Sequence, residues 1–241
     1  ILSGRQPHLG VLLTYPEAPS PTSEVPRVST VDTTNARTAD RQRGRTPVCV
    51  PRGQKAGISF IGAGAFARGV LLPLLGGERL ARLRGVVAAT GLSADAARRK
   101  FKFDFASTDP QTVLDDAGTH AVVIATPHRE HAPLVCRALA AGKRVFVEKP
   151  LAGDLLQLLA VHDAVARYGP NLMVGFNRRF APLTQTLLDW FDGRRPLTAS
   201  YRCSAGRLPS GHSLGDPGQG GRIIGEACHF FDLLGLVLGA G

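Results

Sequence analysis

Two short stretches of this 241-residue chain carry side chains able to hold and move a proton. The first is Glu148-Lys149-Pro150, directly after the apolar run Arg144-Val145-Phe146-Val147. A residue before proline is held extended, which fixes the direction of Lys149. The ordinary lysine pKa is about 10.4, so acid–base work near neutrality needs burial or a neighbouring positive charge. A lysine so placed can bind a hydroxyl or carbonyl oxygen and pass a proton; on an open surface it would simply be solvated. The second stretch is Gly225-Glu226-Ala227-Cys228-His229-Phe230-Phe231-Asp232. Glu226, His229 and Asp232 recur at i, i+3 and i+6 and so share a helix face among apolar neighbours. A histidine between two carboxylates is oriented and tuned for proton transfer. The plainer alternative is a structural histidine with both ring nitrogens satisfied. No third ligand accompanies the group, so no metal site is expected.

A third stretch indicates what such groups would act beside. The apolar run Ile58-Ser59-Phe60-Ile61 ends in Gly62-Ala63-Gly64-Ala65-Phe66-Ala67, and a second apolar run follows. This Gly-x-Gly-x-x-Ala turn is a dinucleotide fingerprint. Gly62 allows the tight turn from strand to helix, Gly64 lets the backbone approach a pyrophosphate, and Ala67 lets the helix pack on the strand. The helix start adds about half a positive charge facing the phosphates. Gly62, Gly64, Ala65, Phe66 and Ala67 are therefore the expected cofactor-binding residues of this turn. Thr126-Pro127-His128 follows another apolar run and either lines the nicotinamide and ribose side of a dinucleotide or is an ordinary loop. His131, one turn later, reads as a capping or packing histidine. Asn177 can bind a ligand or cap a helix, and Arg178 and Arg179 can hold an anionic substrate or pair with acidic neighbours.

These residues need elements that bring them to one place. Strand-like runs at 58–61, 83–90, 103–106, 121–125, 144–147 and 172–175 alternate with helical patterns at 66–75, 94–101, 110–116, 131–141 and 155–167. Gly142 and Gly169-Pro170 are helix stops. Such alternation predicts βαβ units and a parallel sheet, with all strand C-termini on one edge, where ligands bind. The expected fold class is α/β: a Rossmann-type, doubly wound parallel sheet over 56–176, then an incomplete α+β region over 177–241. The latter shows a helix at 182–191, a long alternating strand at 197–205, a Gly/Pro loop at 208–221 and a helix at 223–238. One strand and two helices do not close a domain, so partner strands are expected to be missing and one face uncovered. Residues 1–55, rich in Pro, Ser, Thr and Arg, show no useful periodicity and read as disordered or non-domain. The start, Ile1-Leu2-Ser3-Gly4, suggests a fragment or processed product.

Bulk composition narrows the class. Hydrophobic residues make up 44% of the chain, enough for a core, and no apolar run approaches the ~20 residues that span a bilayer. No membrane association is expected, and the location is read as cytoplasmic. Cys49, Cys136, Cys203 and Cys228 form no Cys-x-x-Cys pair, which argues against structural zinc and a disulfide framework. The net charge of +10 is scattered and carried mostly by Arg, without interleaved aromatics, so nucleic acid is not an expected partner.

Taken in order, Gly62-Ala63-Gly64-Ala65-Phe66-Ala67, Ala125-Thr126-Pro127, His131, Glu148-Lys149-Pro150, Gly175-Phe176-Asn177-Arg178-Arg179 and Gly220-Gly221…His229…Asp232 resemble the Gfo/Idh/MocA oxidoreductases over about 56–241. The branch most resembled is the one in which this module is fused behind a zinc-type alcohol dehydrogenase domain; residues 1–55 do not resemble that domain. The resemblance implies a small-molecule substrate, a sugar, polyol or related compound, with hydride transfer to or from NAD or NADP. It implies a homo-oligomer when full length. It assigns Lys149 and His229 as catalytic; with the readings of the residues above, Glu226 is expected to join them, Thr126, Pro127, His128, Glu148 and Lys149 to meet the cofactor, and Asn177 and Arg178 to meet the substrate. Two departures stand out. Many members carry Asp four residues before the histidine, where this chain has Gly225; either Glu226 substitutes, or the relay or the activity differs. After the second strand, where a carboxylate would hold the adenosine ribose, the chain reads Thr90-Gly91-Leu92-Ser93. Ser93, with Arg98 and Arg99, would suit a 2′-phosphate. The rival reading is a catalytically impaired dinucleotide-binding or sensor module.

Overall fold

The structure is a computed structural model and describes residues 50, 53–76, 81–191, 197–209, 211, 215–216 and 221–239. The expectation of disorder over 1–55 falls mostly outside these residues.

Six strands form one parallel sheet: β1 (Ala56–Ile61), β2 (Ala81–Val87), β3 (Phe105–Ser107), β4 (Ala121–Ile124), β5 (Arg144–Val147) and β6 (Leu172–Val174). Their order is β3-β2-β1-β4-β5-β6. The chain reverses direction across the sheet between β1 and β4, which opens the crevice where doubly wound sheets bind ligands. A π-helical turn, Ala67–Leu71, follows β1 and leads into α1 (Leu72–Leu75). Pro73 has no N–H for the carbonyl four residues back, which accounts for a break in regular α spacing there. Then come α2 (Gly91–Phe101), α3 (Pro110–Asp115), α4 (His131–Ala140) and α5 (Leu155–Tyr168). Beyond β6 lie α6 (Pro182–Phe191), a second π turn at Ile223–Ala227 and α7 (Cys228–Leu238).

Both sheet faces are covered, so the strands read as nearly continuous apolar runs. Ile61, Val87, Val122, Ile124, Val145 and Val147 pack with Leu134, Val135, Leu139 and Val161 of α4 and α5. Phe60, Val86 and Val123 pack on the opposite face with Ala67, Leu72, Ala94 and Phe103. The N-terminal edge is braced by polar groups. Ser59 and Thr119 share a 2.7 Å hydroxyl contact, and buried Lys143 donates to the carbonyls of Asp116 (2.7 Å) and Thr119 (2.8 Å).

Local signals explain most boundaries. β2 stops at Val87 rather than 90 because Thr90 is the N-cap of α2, its hydroxyl accepting from Ser93 N–H at 3.2 Å. β3 starts at Phe105 rather than 103 because Lys102 ends α2 with φ of 61° and Phe103 N–H bonds back to the Arg98 carbonyl. Gly142 and Gly169 end their helices at φ of 73° and 97°, as expected of such stops.

One expectation fails. Residues 197–205 form no strand, and the described residues beyond 176 contribute helices and irregular chain. A strand requires an edge to pair with, and the described residues offer none there. The segment is held by side chains instead: Arg178 donates to the Tyr201 hydroxyl at 2.9 Å, and Arg222 donates to the carbonyls of Gly206 and Ala205. The 208–221 loop lies largely outside the described residues. Among those residues, no helix is long and apolar enough to cross a membrane.

Candidate active site

The strand register aligns the chemistry. Ile61, Val87, Ile124, Val147 and Val174 end their strands in one row. Hydrogen bonding continues one residue past it: Gly62 N–H to Val87, Ala125 N–H to Ile61, Glu148 N–H to Ile124, and Gly175 N–H to Val147, all at 2.8–2.9 Å. The turn after β1, Thr126-Pro127-His128, Glu148-Lys149 and Asn177 thereby meet at one edge.

The turn after β1 fits the backbone of a dinucleotide. Gly62 has φ of +100°, and a Cβ there would lie 2.4 Å from the Ala125 carbonyl oxygen. At Gly64 a Cβ would meet nothing within 4 Å, so its backbone faces open space, while Ala67 is buried against the sheet. The first backbone amides of the following helix lack intrahelical acceptors and suit an anion.

Beside the turn is a cleft of about 340 Å³, lined by Phe66, Ala125, Thr126, His128, His131, Glu148, Lys149, Asn177 and His229. Among the described residues three buried side-chain polar atoms have no protein partner, and two of them, Thr126 Oγ1 and His229 Nδ1, belong to residues lining this cleft. Such orphans are rare in folded proteins. With the open turn at Gly64 they fit a bound nicotinamide dinucleotide. Lys149 Nζ donates to the Gly225 carbonyl at 2.8 Å, tying β5 to the π turn before α7. The backbone carbonyl of Gly225 thus receives the lysine at the position where many relatives are expected to carry Asp. His131 is buried and contacts two backbone carbonyls, Pro150 O through Nδ1 at 2.7 Å and Thr126 O through Nε2 at 2.9 Å. It holds the two loops together, in keeping with its reading as a packing histidine.

Electrostatics favour a neutral His229. Burial pushes its pKa below the ordinary value, and the charges of Lys149 and Arg178 add to this, outweighing Asp232 and Glu226. Burial also raises the Glu148 carboxyl and the Cys228 thiol above their usual ranges. The His229 ring meets Phe176 edge-on, with centroids 6.0 Å apart.

Other expected site residues lie elsewhere or are engaged. Glu226 accepts from Arg222 Nε at 2.8 Å and lines a different cleft, of about 400 Å³, with Cys203 and Phe230. Asp232 accepts from Nε and Nη2 of Arg179. Neither carboxylate hydrogen-bonds to His229, so the helix spacing does not translate into the expected triad. Arg178, besides bonding Tyr201, lies 4.8 Å over the Phe230 ring, and Tyr201 stacks on Phe230 at 4.5 Å. Ser93 receives Arg68, at 2.7 Å to its hydroxyl and 2.8 Å to its carbonyl. Arg98 and Arg99 are both turned to Asp95. Arg68, Tyr201 and the Gly225 carbonyl went unforeseen. Only Arg68 had a sequence signal, its place directly after the Gly-x-Gly-x-x-Ala turn.

Comparison with known proteins identifies the family and agrees with the fold. The chain is 31% identical over 181 residues to inositol 2-dehydrogenase of Rhizobium meliloti (strain 1021), covering 75% of this chain and 54% of that protein. It is 39% identical over 89 residues to scyllo-inositol 2-dehydrogenase (NAD(+)) of Bacillus subtilis (strain 168), covering 37% of this chain and 26% of that protein. Levoglucosan dehydrogenase of Pseudarthrobacter phenanthrenivorans is 40% identical over 102 residues, 42% of this chain and 26% of that protein. The chain thus spans from about a quarter to about half of the length of these relatives. Among solved structures, KijD10, a 3-ketoreductase from Actinomadura kijaniata in complex with NADP and TDP-benzene, superposes with a TM-score of 0.54 at 26% identity, over 58% of this chain and 43% of that one. Residues 56–176 match the Gfo/Idh/MocA model, described as an oxidoreductase family with an NAD-binding Rossmann fold, and the chain belongs to that family.

Proposed function

We propose that the chain carries the cofactor-binding and proton-transfer part of an NAD(P)-dependent dehydrogenase acting on a polyol or sugar. The observation that carries this reading is the single cleft at the sheet edge that Lys149 and His229 both line, next to the open Gly64 turn. The names of the inositol and levoglucosan dehydrogenases support the substrate class.

A nicotinamide bound at this edge supplies the hydride acceptor or donor. Neutral His229 takes the proton of a substrate hydroxyl during oxidation and returns it during reduction. Lys149, anchored on the Gly225 carbonyl, uses its remaining N–H groups to hold the substrate oxygen. Asn177, exposed at the cleft, is placed to orient the substrate. Glu226 is positioned for Arg222 and serves this reaction only indirectly.

The test is NAD(P)H formation by the chain on a panel of inositols and anhydrosugars. Lys149→Ala and His229→Ala should each lower kcat by about 10²- to 10⁴-fold while dinucleotide binding persists. The acid limb of the oxidation rate should fall below pH ~6.5, because His229 stays neutral below the ordinary histidine range. A second reading, a sensor that binds dinucleotide without turnover, is favoured by the engagement of Glu226 with Arg222. Tight binding with no turnover across the panel would establish it.

A further inference from the structure

The dinucleotide reading leaves open which adenosine ribose the chain accepts, and the edge after β2 bears on this. Ile61 and Val87 are paired at the ends of β1 and β2, so the loop after β2 flanks the Gly62–Ala67 turn. In NAD-binding sheets of this type a carboxylate there accepts from the ribose hydroxyls. Here residues 88–93 contain none. The first acid beyond, Asp95, is held by Arg98 at 2.9 Å and Arg99 at 2.7 Å.

A cation reaches the loop instead. Arg68 Nη2 donates to the Ser93 carbonyl and hydroxyl. Its Nε is buried with no partner, and among the described residues Nη1 has none either. A guanidinium carries five N–H donors in a fixed plane. Two are committed to Ser93 and set the orientation; Nε–H is shut off from solvent, and the two on Nη1 are left for a ligand. Ser93 Oγ accepts from Arg68, so its own hydrogen can point outward. Thr90 Oγ1 accepts from Ser93 N–H, so its hydrogen is likewise available. The N-terminus of α2 adds its positive end, and a Cβ on Gly91 would meet nothing within 4 Å, so the approach is open. The site is rich in donors, and the carbonyls of Ser93 and Thr90 are already used, by Arg68 and by Ala94 N–H. That combination suits a phosphate monoester dianion and offers little to a pair of ribose hydroxyls.

We propose that Arg68, with Ser93 and Thr90, forms a 2′-phosphate subsite, so that the chain selects NADP(H) over NAD(H). This rests on the dinucleotide site proposed above. The experiment is fluorescence titration of the chain with NADH and NADPH, with 2′-AMP and 5′-AMP as competitors. NADPH should bind at least about tenfold tighter than NADH, and 2′-AMP should compete better than 5′-AMP. Arg68→Ala should weaken NADPH by about 10- to 100-fold and leave NADH within about twofold. Ser93→Asp should reverse the preference by placing a carboxylate beside Arg68. If Arg68→Ala fails to fold, the two nucleotide competitors on the unaltered chain decide. Tighter NADH binding, or equal weakening of both cofactors by Arg68→Ala, overturns the subsite and leaves the dinucleotide site standing. Binding of neither dinucleotide overturns both.

Discussion

A methyl group on Gly62 would sit 2.4 Å from the Ala125 carbonyl oxygen, on a backbone at φ of +100°. Both the overlap and the dihedral are unfavourable, and the carbonyl belongs to the β4 edge and has little room to move. At Gly64 the same methyl would meet nothing within 4 Å of the protein. The two glycines therefore separate folding from binding. Gly62→Ala should destabilise the chain by at least about 1–3 kcal/mol and lower its melting temperature. Gly64→Ala should keep stability within about 0.5 kcal/mol yet weaken dinucleotide binding, because its methyl intrudes where the diphosphate approaches. Thermal unfolding and cofactor titration on both variants check this. A Gly64→Ala protein that binds as well as the parent would show that the diphosphate does not pass over that residue.

Elements put these residues in place, and the sheet is anchored from the edge opposite the cleft. Asp116, the residue just past α3, accepts from Arg84 of β2, from the Thr119 hydroxyl and from Gly118 N–H. Burial opposes ionisation of Asp116, but these donors outweigh it and hold its pKa at about 2, against 3.8 ordinarily. A depressed carboxylate pKa means that the unfolded chain binds more protons in this range. The stabilisation is therefore present above pH 3.8 and is lost as pH falls through about 2. It amounts to about 2 kcal/mol. Asp116→Asn should lower the unfolding free energy by about that much near neutrality, with the gap to the parent closing towards pH ~2 and dinucleotide affinity unchanged. Denaturant unfolding as a function of pH measures it. The strands, caps and stops of this half were legible because apolar runs, Gly142 and Gly169 are local signals. The run at 197–205 misled for the converse reason: alternation marks a residue pattern that suits a strand, but pairing needs a neighbour that sequence spacing does not reveal. Lys149 with Gly225, Arg222 with Glu226 and Arg68 with Ser93 were illegible in the same way. Each joins segments or selects among partners by three-dimensional distance. The helix spacing did place Glu226, His229 and Asp232 on one element, but it could not tell that two arginines would claim the carboxylates.

At the scale of the whole molecule, the sheet is well covered but the outer faces of several helices are not. The sheet has apolar helices on both faces, and its central side chains are inaccessible to water. By contrast, Leu156 on α5 is 79% exposed and Leu183 on α6 is 84% exposed, with Leu155, Trp190 and Phe231 also largely in solvent. Apolar surface on several helices is unusual for a protein that stays monomeric in water. Net charge of +10 opposes association through long-range repulsion, but that term weakens as salt screens it. The balance predicts association that rises with both protein concentration and ionic strength, the opposite of what contacts between charged patches would give. Leu156→Glu and Leu183→Glu should each reduce it. Neither residue lines the cleft, so dinucleotide affinity should be retained. Light scattering across a salt series reads the outcome: a monodisperse monomer at high salt would show that the exposed leucines are compatible with an isolated chain, whereas association relieved by salt would assign it to charge rather than to apolar surface.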